Sequence, residues 1–475
     1  MEHFDSTESV NSTESSSRGD PRRRRRPRAR WVAVLGAAGF AAMTIPLGGA
    51  TPGHAATEAS EGLLCEHNAG GTPTNPTSSF VLTAKEGYIL TPDNNSIYMW
   101  SYSAGNKPFQ YPGTTLCVNE GDTVTVTLKN TLKVPTSVMF LGIEGVLADG
   151  ALSVPQPGTD SLTEEAASGG SVTYQFVAKH AGTYLYESGT NPQLQDQMGL
   201  VGALVVRPAG YTDAAPYAYN LAGGAPDTDT SYKPTKEYLN LFSEVDPDLH
   251  QRVEFAPDQN GYVVDWTAYR PRYWMINGRV FPDTIAANDS QSLPAQPYSA
   301  LVHIQPRDDV NNPLPALVRM LNAGARTYPF HPHGNHDKVI GIDARPLRGT
   351  DGSDLTRDEF SVVMVPGQTE DVVVTWVDGQ GFATDAPGIG VPVPPLLNRE
   401  NGAYWSGSPY LGEKEAPKSG QLQLNECGEY YNVAHSHALY QVATYETAAS
   451  GMLTMTRIDP PGDEASNGCH PAGEG

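Results

Sequence analysis

Thr123-Val124-Thr125-Val126-Thr127-Leu128 alternates polar and apolar residues without a break and is almost wholly β-branched. Successive side chains of a strand point to opposite faces, so this pattern builds a half-buried β-strand and cannot give a helix an apolar stripe. Runs of the same kind recur at Ser171-Val172-Thr173-Tyr174-Gln175-Phe176, Gly202 to Val206, Phe360 to Val365, Val372 to Val377 and Met452 to Ile458. Gly, Pro and Asn separate them, and long helical periodicity is absent. Short strands divided by turn residues predict an all-β chain of β-sandwiches.

Working outward, the strands fall into two groups. The first predicted sandwich covers 78–208. A stretch rich in Gly, Ala, Pro and Asp, 209–235, reads as a linker. The second sandwich covers 236–460 and contains an irregular insertion at about 378–420, with Val391-Pro392-Val393-Pro394-Pro395 inside it. A loop of that length commonly serves as a lid or a functional segment. Residues 461–475 form a tail. The halves echo each other: one strand ends at Asn130, another at Asn322, and a polar strand begins soon after each.

The N-terminal residues read as a targeting segment. A Ser/Thr/Glu-rich start leads to Arg22–Arg26, Arg28 and Arg30, then an apolar run from Trp31 to about Leu47, then Gly53-His54-Ala55-Ala56. That order of charge, apolar stretch and small residues is a secretory signal ending near residue 55. The expectation is a secreted, extracytoplasmic protein with no membrane span in its mature form. Cleavage would remove eight arginines and five acidic residues, deepening a net charge that is already −22. Such a surface repels nucleic acid and anionic lipid, which removes both as partners. Four cysteines, Cys65, Cys117, Cys427 and Cys469, suit two disulfides in an exported chain. Three pairings are open; the most local joins Cys65 to Cys117 and Cys427 to Cys469. None forms a Cys-x-x-Cys pair, which argues against a thiolate zinc site.

Chemistry concentrates in Phe330-His331-Pro332-His333-Gly334-Asn335-His336 and in Ala434-His435-Ser436-His437. Each holds a His-x-His pair. On a strand such a pair sends both imidazoles to one face, and two neighbouring strands would then make a four-nitrogen pocket suited to copper, with zinc as the alternative. His331, His333, His435 and His437 are therefore the candidate metal ligands, and His336 is a further candidate. No nucleophile elbow and no phosphate-binding glycine loop occurs in the chain.

At this point the chain resembles the multicopper oxidases, a family built from cupredoxin-type Greek-key β-sandwiches. Four regions carry the resemblance: Asn119–Val124 through Pro135–Ile143, Ala181–Gly189 through Gly199–Val206, Phe330–His336 with Val365–Gln368, and His435–His437 with Gly451-Met452. The family places one His-x-His in each region, together holding a three-copper cluster. Here Met139 and Leu141 occupy the first pair of positions, and Glu187 and Gly189 the second. Only the third and fourth pairs remain. The family's blue copper needs a Cys where this chain has Ser436, and its flanking histidines fall at Tyr328 and Gln441.

The resemblance thus implies two cupredoxin-like domains and an exported copper-binding protein with one ion or a reduced cluster. It implies no laccase-type phenol oxidation. Two other readings stand beside it: an active metal-dependent oxidoreductase with a non-standard centre, and a metal-free scaffold or interaction protein. Glu187, at a family ligand position, is the candidate carboxylate ligand or general base. A homo-oligomer would repeat the depleted first sandwich, so completing the cluster would take a different partner chain.

Overall fold

The computed structural model describes residues 62–66, 77–307, 313–377, 430–445 and 447–458. The predicted signal, the insertion at 378–420, the tail, Cys427 and Cys469 lie outside those residues. Cys65 and Cys117 are joined in a disulfide, which ties the segment at 62–66 to the strand Leu116–Asn119. Among the described residues, no helix is long and apolar enough to cross a membrane.

The fold is all-β, two cupredoxin-like sandwiches. In the first, a six-stranded sheet runs in the order Ser96–Ala104, Thr77–Leu90, Thr123–Asn130, Ser171–Val177, Leu147–Ala148, Ala151–Leu152. It faces a four-stranded sheet ordered Leu116–Asn119, Val201–Arg207, Gly182–Glu187, Met139–Phe140. The alternation at Thr123–Asn130 works as the sequence requires: Val124, Val126 and Leu128 are buried, while Thr125 and Thr127 are half-buried on the other face. These side chains pack with Phe140, Tyr174, Phe176, Tyr186 and Leu204. Each aliphatic or aromatic side chain fully removed from water here contributes roughly 1.5–3 kcal/mol.

The second sandwich repeats the plan. One sheet is ordered Tyr273–Ile276, Glu237–Val245, Ala316–Asn322, Thr369–Val374, Asp337–Ile342, Arg345–Pro346, with Arg357–Glu359 also paired to Asp337–Ile342. The other is ordered Val302–Ile304, Leu453–Ile458, Tyr430–Ser436, Tyr328–Pro332, Val362–Met364. The repeat extends to register. Thr77–Leu90 runs parallel to Thr123–Asn130, as Glu237–Val245 runs parallel to Ala316–Asn322. Leu116–Asn119 runs parallel to Val201–Arg207, as Val302–Ile304 runs parallel to Leu453–Ile458.

The two asparagines make the same knot. Asn130 donates to the Val134 and Ala166 carbonyls (2.7 and 2.9 Å) and accepts from the Leu132 amide (2.9 Å). Asn322 donates to the Arg326 and Met364 carbonyls (2.7 and 2.9 Å) and accepts from the Gly324 amide (2.8 Å). Each amide side chain stands in for a missing ladder where the chain leaves the strand, which is why a short polar residue with both donor and acceptor sits there.

Strands at the centre are apolar on both faces. In Val201–Arg207, Leu204 and Val206 enter the first core, while Val201, Ala203 and Val205 face the second sandwich. In Glu237–Val245, Tyr238 and Phe242 enter the second core, and Leu239, Leu241 and Val245 meet the first sandwich. The four sheets therefore stack as layers with three apolar seams between them. The segment 209–235 is packed as well: Ala218, Tyr219 and Tyr232 are buried against Leu317, Ile340 and Val373, and Arg348 forms an ion pair with Asp227 at 2.7 Å.

The middle seam also holds charge. Arg319 is fully buried and bonds Glu237 at 2.8 Å, Asp371 at 3.3 Å and the Thr183 hydroxyl at 3.0 Å. Arg207 reaches the other oxygen of Glu237 at 2.9 Å. Thr183 and Arg207 belong to the first sandwich, and Glu237, Arg319 and Asp371 to the second, so the network pins the two together.

Candidate metal centre

Strands Tyr328–Pro332 and Tyr430–Ser436 pair antiparallel, with Phe330 opposite Ser436, His331 opposite His435, and Pro332 opposite Ala434. The pleat then separates two functions. Phe330 and Ala434 face the core. His331 and His435 face the other way, and His333 and His437 follow them on that side. The ring centroids lie close: His331 to His333 5.0 Å, His331 to His437 5.1 Å, His333 to His435 5.0 Å, His331 to His435 5.8 Å and His435 to His437 6.0 Å. The four predicted ligands are brought together. His336 is not: it is exposed and makes no ring contact with them.

Two of the rings are oriented by backbone. His331 Nδ1 bonds the Phe360 carbonyl and His435 Nδ1 bonds the Ser436 carbonyl (2.8 Å). A carbonyl accepts only from a protonated nitrogen, so whenever either ring carries a single proton that proton sits on Nδ1 and Nε2 keeps its lone pair. His333 Nε2 lies 3.0 Å from His435 Nε2. Two nitrogens that bind one tetrahedral ion at about 2.0 Å stand about 3.3 Å apart, so this pair needs only a slight opening to chelate. Among the described residues, no three His, Cys, Asp or Glu side chains already surround one point. Coordination by more than this pair therefore requires His331 or His437 to turn. Burial lowers the pKa of both His333 and His435, and the neighbouring imidazoles lower each further. Neutral imidazole is the metal-binding form.

The positions that depart from the family pattern are placed just as clearly. Ser436 donates to Gln441, and Gln441 donates to the Thr327 carbonyl at 3.1 Å. Tyr328 is fully buried and donates to Glu244. A hydroxyl, an amide and a phenol fill that end of the sheet with hydrogen bonds among themselves and their neighbours.

Glu187 sits elsewhere. It pairs in register with Met139, the counterpart in the first sandwich of the His331–His435 pair. It lines a cavity of about 520 Å³ with Asp196, Gln197, Trp266, Asn322 and Gly367, and none of the four histidines lines that cavity. Glu187 and the four histidines do not share this cavity within one chain, because the strand Gly182–Glu187 turns this face toward the middle seam. Sequence reasoning missed Asp196. It follows an asparagine, Asn191, and a one-turn helix, Pro192–Gln195, which carry no motif.

Burial pushes the Glu187 carboxyl up to about 7. Burial also raises Asp196, and the charge of Glu187 adds to it, against one hydrogen bond from the Ser188 amide. The pair therefore retains a proton near neutral pH. The unfolded chain ionises Glu187 near 4.5, so its folded-state cost grows as pH rises from there to about 7. Glu187→Gln is expected to leave stability near pH 5 almost unchanged and to raise it at pH 8 by about 1–3 kcal/mol, read from thermal unfolding at the two pH values.

Comparison with known proteins agrees with this architecture. The multicopper oxidase family model matches residues 104–210. L-ascorbate oxidase of Cucumis sativus is 36% identical over 273 residues, covering 54% of this chain and 41% of that protein. Over these stretches the chain is similar to multicopper oxidases. A copper resistance protein A homolog of Pseudomonas syringae pv. tomato is 37% identical over 95 residues, 20% of this chain and 15% of that one. The blue copper oxidase of Nitrosomonas europaea has the same fold, with a TM-score of 0.50 at 18% identity over 80% of this chain and 85% of that one. The chain thus spans about two fifths of the length of the plant protein it matches. The imidazole donors described above suit copper.

Proposed function

We propose that this chain is an exported copper-binding member of the multicopper oxidase family. Copper is held by His331, His333, His435 and His437, and the blue electron-entry site is missing. The observation that carries the reading is the His333–His435 pair, whose Nε2 atoms stand 3.0 Å apart with His435 steered from behind by a carbonyl. Imidazole selects copper and zinc among the common divalent ions, and copper binds such donors more tightly. Copper bound there would supply a redox-active Lewis acid at the surface of the sheet; the protein's part is to aim the rings and, by burial, to favour the neutral form of His333 and His435.

Ser436 supports the absence of a blue site, since its hydroxyl is spent on Gln441 and no thiol stands between the two histidines. The test is copper titration of the dialysed protein, followed by metal analysis and a visible spectrum. Near-stoichiometric copper with only weak colour is expected. An intense blue band would show a thiolate ligand and overturn the assignment, and so would protein that retains no copper.

A further inference from the structure

A line of aromatic side chains crosses the second sandwich, and the copper reading does not use it. Tyr440 is 64% exposed, on the turn Leu439–Val442 that follows the last histidine. Its ring meets Trp274 edge-on, with centroids 5.3 Å apart. Trp274 meets Tyr328 at 6.5 Å, again edge-on. The Tyr328 hydroxyl donates to one carboxylate oxygen of Glu244, and the Tyr269 hydroxyl lies 2.9 Å from the other. Tyr269 meets Trp266 edge-on at 5.7 Å, and Trp266 lines the 520 Å³ cavity that holds Glu187 and Asp196.

Glu244, Tyr328 and Trp274 are buried, as is Tyr269, while the two ends, Tyr440 and Trp266, reach solvent. A buried carboxylate needs donors, and two phenols with the Ala325 amide (2.9 Å) provide them. That requirement accounts for the hydroxyls around Glu244. It does not account for an unbroken series of oxidisable rings on both sides of it.

We propose that Tyr440, Trp274, Tyr328, Glu244, Tyr269 and Trp266 form a relay for single-electron oxidation between the surface and the cavity. A strong one-electron oxidant at the Tyr440 end draws an electron from Tyr328 through Trp274. The Tyr328 O–H bond breaks, its proton moves to Glu244, and a neutral tyrosyl radical is left. Tyr269 then gives an electron to Tyr328, which takes its proton back from Glu244, while the proton of Tyr269 passes to the other oxygen of the same carboxylate. A small molecule in the cavity that gives up one electron and one proton together restores Tyr269 through Trp266. Glu187 or Asp196 accepts that molecule's proton, and the proton on Glu244 returns to Tyr269. One donor is oxidised and one acceptor is reduced, and the protein is as it began once Glu187 or Asp196 has released that proton to solvent through the open cavity. Burial raises the Tyr328 hydroxyl well above its usual pKa, and the charge of Glu244 raises it further, so the phenol is protonated at rest and its oxidation requires the proton transfer.

The test uses metal-stripped protein, so its outcome is independent of copper at the histidines. Photo-oxidised ruthenium tris(bipyridine) is the oxidant, and electron paramagnetic resonance with transient absorption reads the radical. Wild type is expected to give a buried tyrosyl signal. Tyr328→Phe is expected to lose most of it, and Tyr186→Phe, which removes a buried phenol bonded to the Thr114 carbonyl away from the relay, is expected to keep it. Glu244→Gln is expected to slow radical formation by about 100-fold and to abolish its solvent deuterium effect. Hydroxyurea, as the probe donor, should quench the wild-type radical several-fold faster than that of Trp266→Leu. An unchanged signal in folded Tyr328→Phe and Tyr269→Phe, or an unchanged rate in Glu244→Gln, overturns the relay and leaves the carboxylate a structural acceptor.

Discussion

Changing His333 and His435 together to alanine is expected to strip the protein of its copper while leaving the fold intact. Both rings lie on the face of their sheet that turns away from the second core, so their loss opens no cavity between packed side chains. What disappears is the nearest pair of donor nitrogens, 3.0 Å apart. His331 and His437 remain, with ring centroids 5.1 Å apart, and offer a looser chelate. Losing chelating ligands costs far more affinity than losing a ring that merely orients another, for which 10–100-fold is typical. The measurement is copper stoichiometry after dialysis against a mild chelator, with circular dichroism as the control for folding. Full retention of copper by a folded double variant would place the metal elsewhere.

Arg319→Ala is expected to cost about 3–5 kcal/mol, enough to threaten folding at ordinary temperature. The loss of contacts is the smaller part. The larger part is that Glu237 and Asp371, 2% and 1% exposed, would lose the guanidinium that lies between them. Burial alone pushes Glu237 up, but Arg319 and Arg207 more than offset it, and the net pKa falls below 4.5. A carboxylate with a depressed folded pKa stabilises the protein above the unfolded value, and that contribution is lost as pH falls through the folded value. The gap between wild type and variant should therefore be widest near neutral pH and narrow below about pH 4.5. Urea unfolding at pH 7 and at pH 4 checks both statements. A gap that is equal at the two pH values would mean that packing, and not charge, holds the seam.

Much of this architecture was legible in the chain. Strict alternation at Thr123–Leu128 gave the strand and its inward face, and the two His-x-His pairs gave four imidazoles on one face of the sheet because period two puts alternate residues on the same side. The disulfide at Cys65 and Cys117 was legible as one bridge of the most local of the three possible pairings. The position of Glu187 was not. Its strand is apolar on both sides, so alternation no longer says which side meets which layer, and only the stacking of sheets decides that the carboxylate enters the seam. Arg319 did carry a signal: a lone cation inside Leu317-Val318-Arg319-Met320-Leu321 demands buried anions. Its partners, Glu237 and Asp371, come from strands far apart in the chain, and no local pattern names them. The aromatic line from Tyr440 to Trp266 is assembled in the same non-local way.

The sheet that is greasy on both sides has a consequence for ancestry. Neither half of this protein could be lifted out and shuffled into another gene as a free-standing unit, because Val201, Ala203 and Val205 on one half, and Leu239, Leu241 and Val245 on the other, would meet water. Heating or denaturant should melt both halves in one event, and drift in either half is constrained by the fit of its twin.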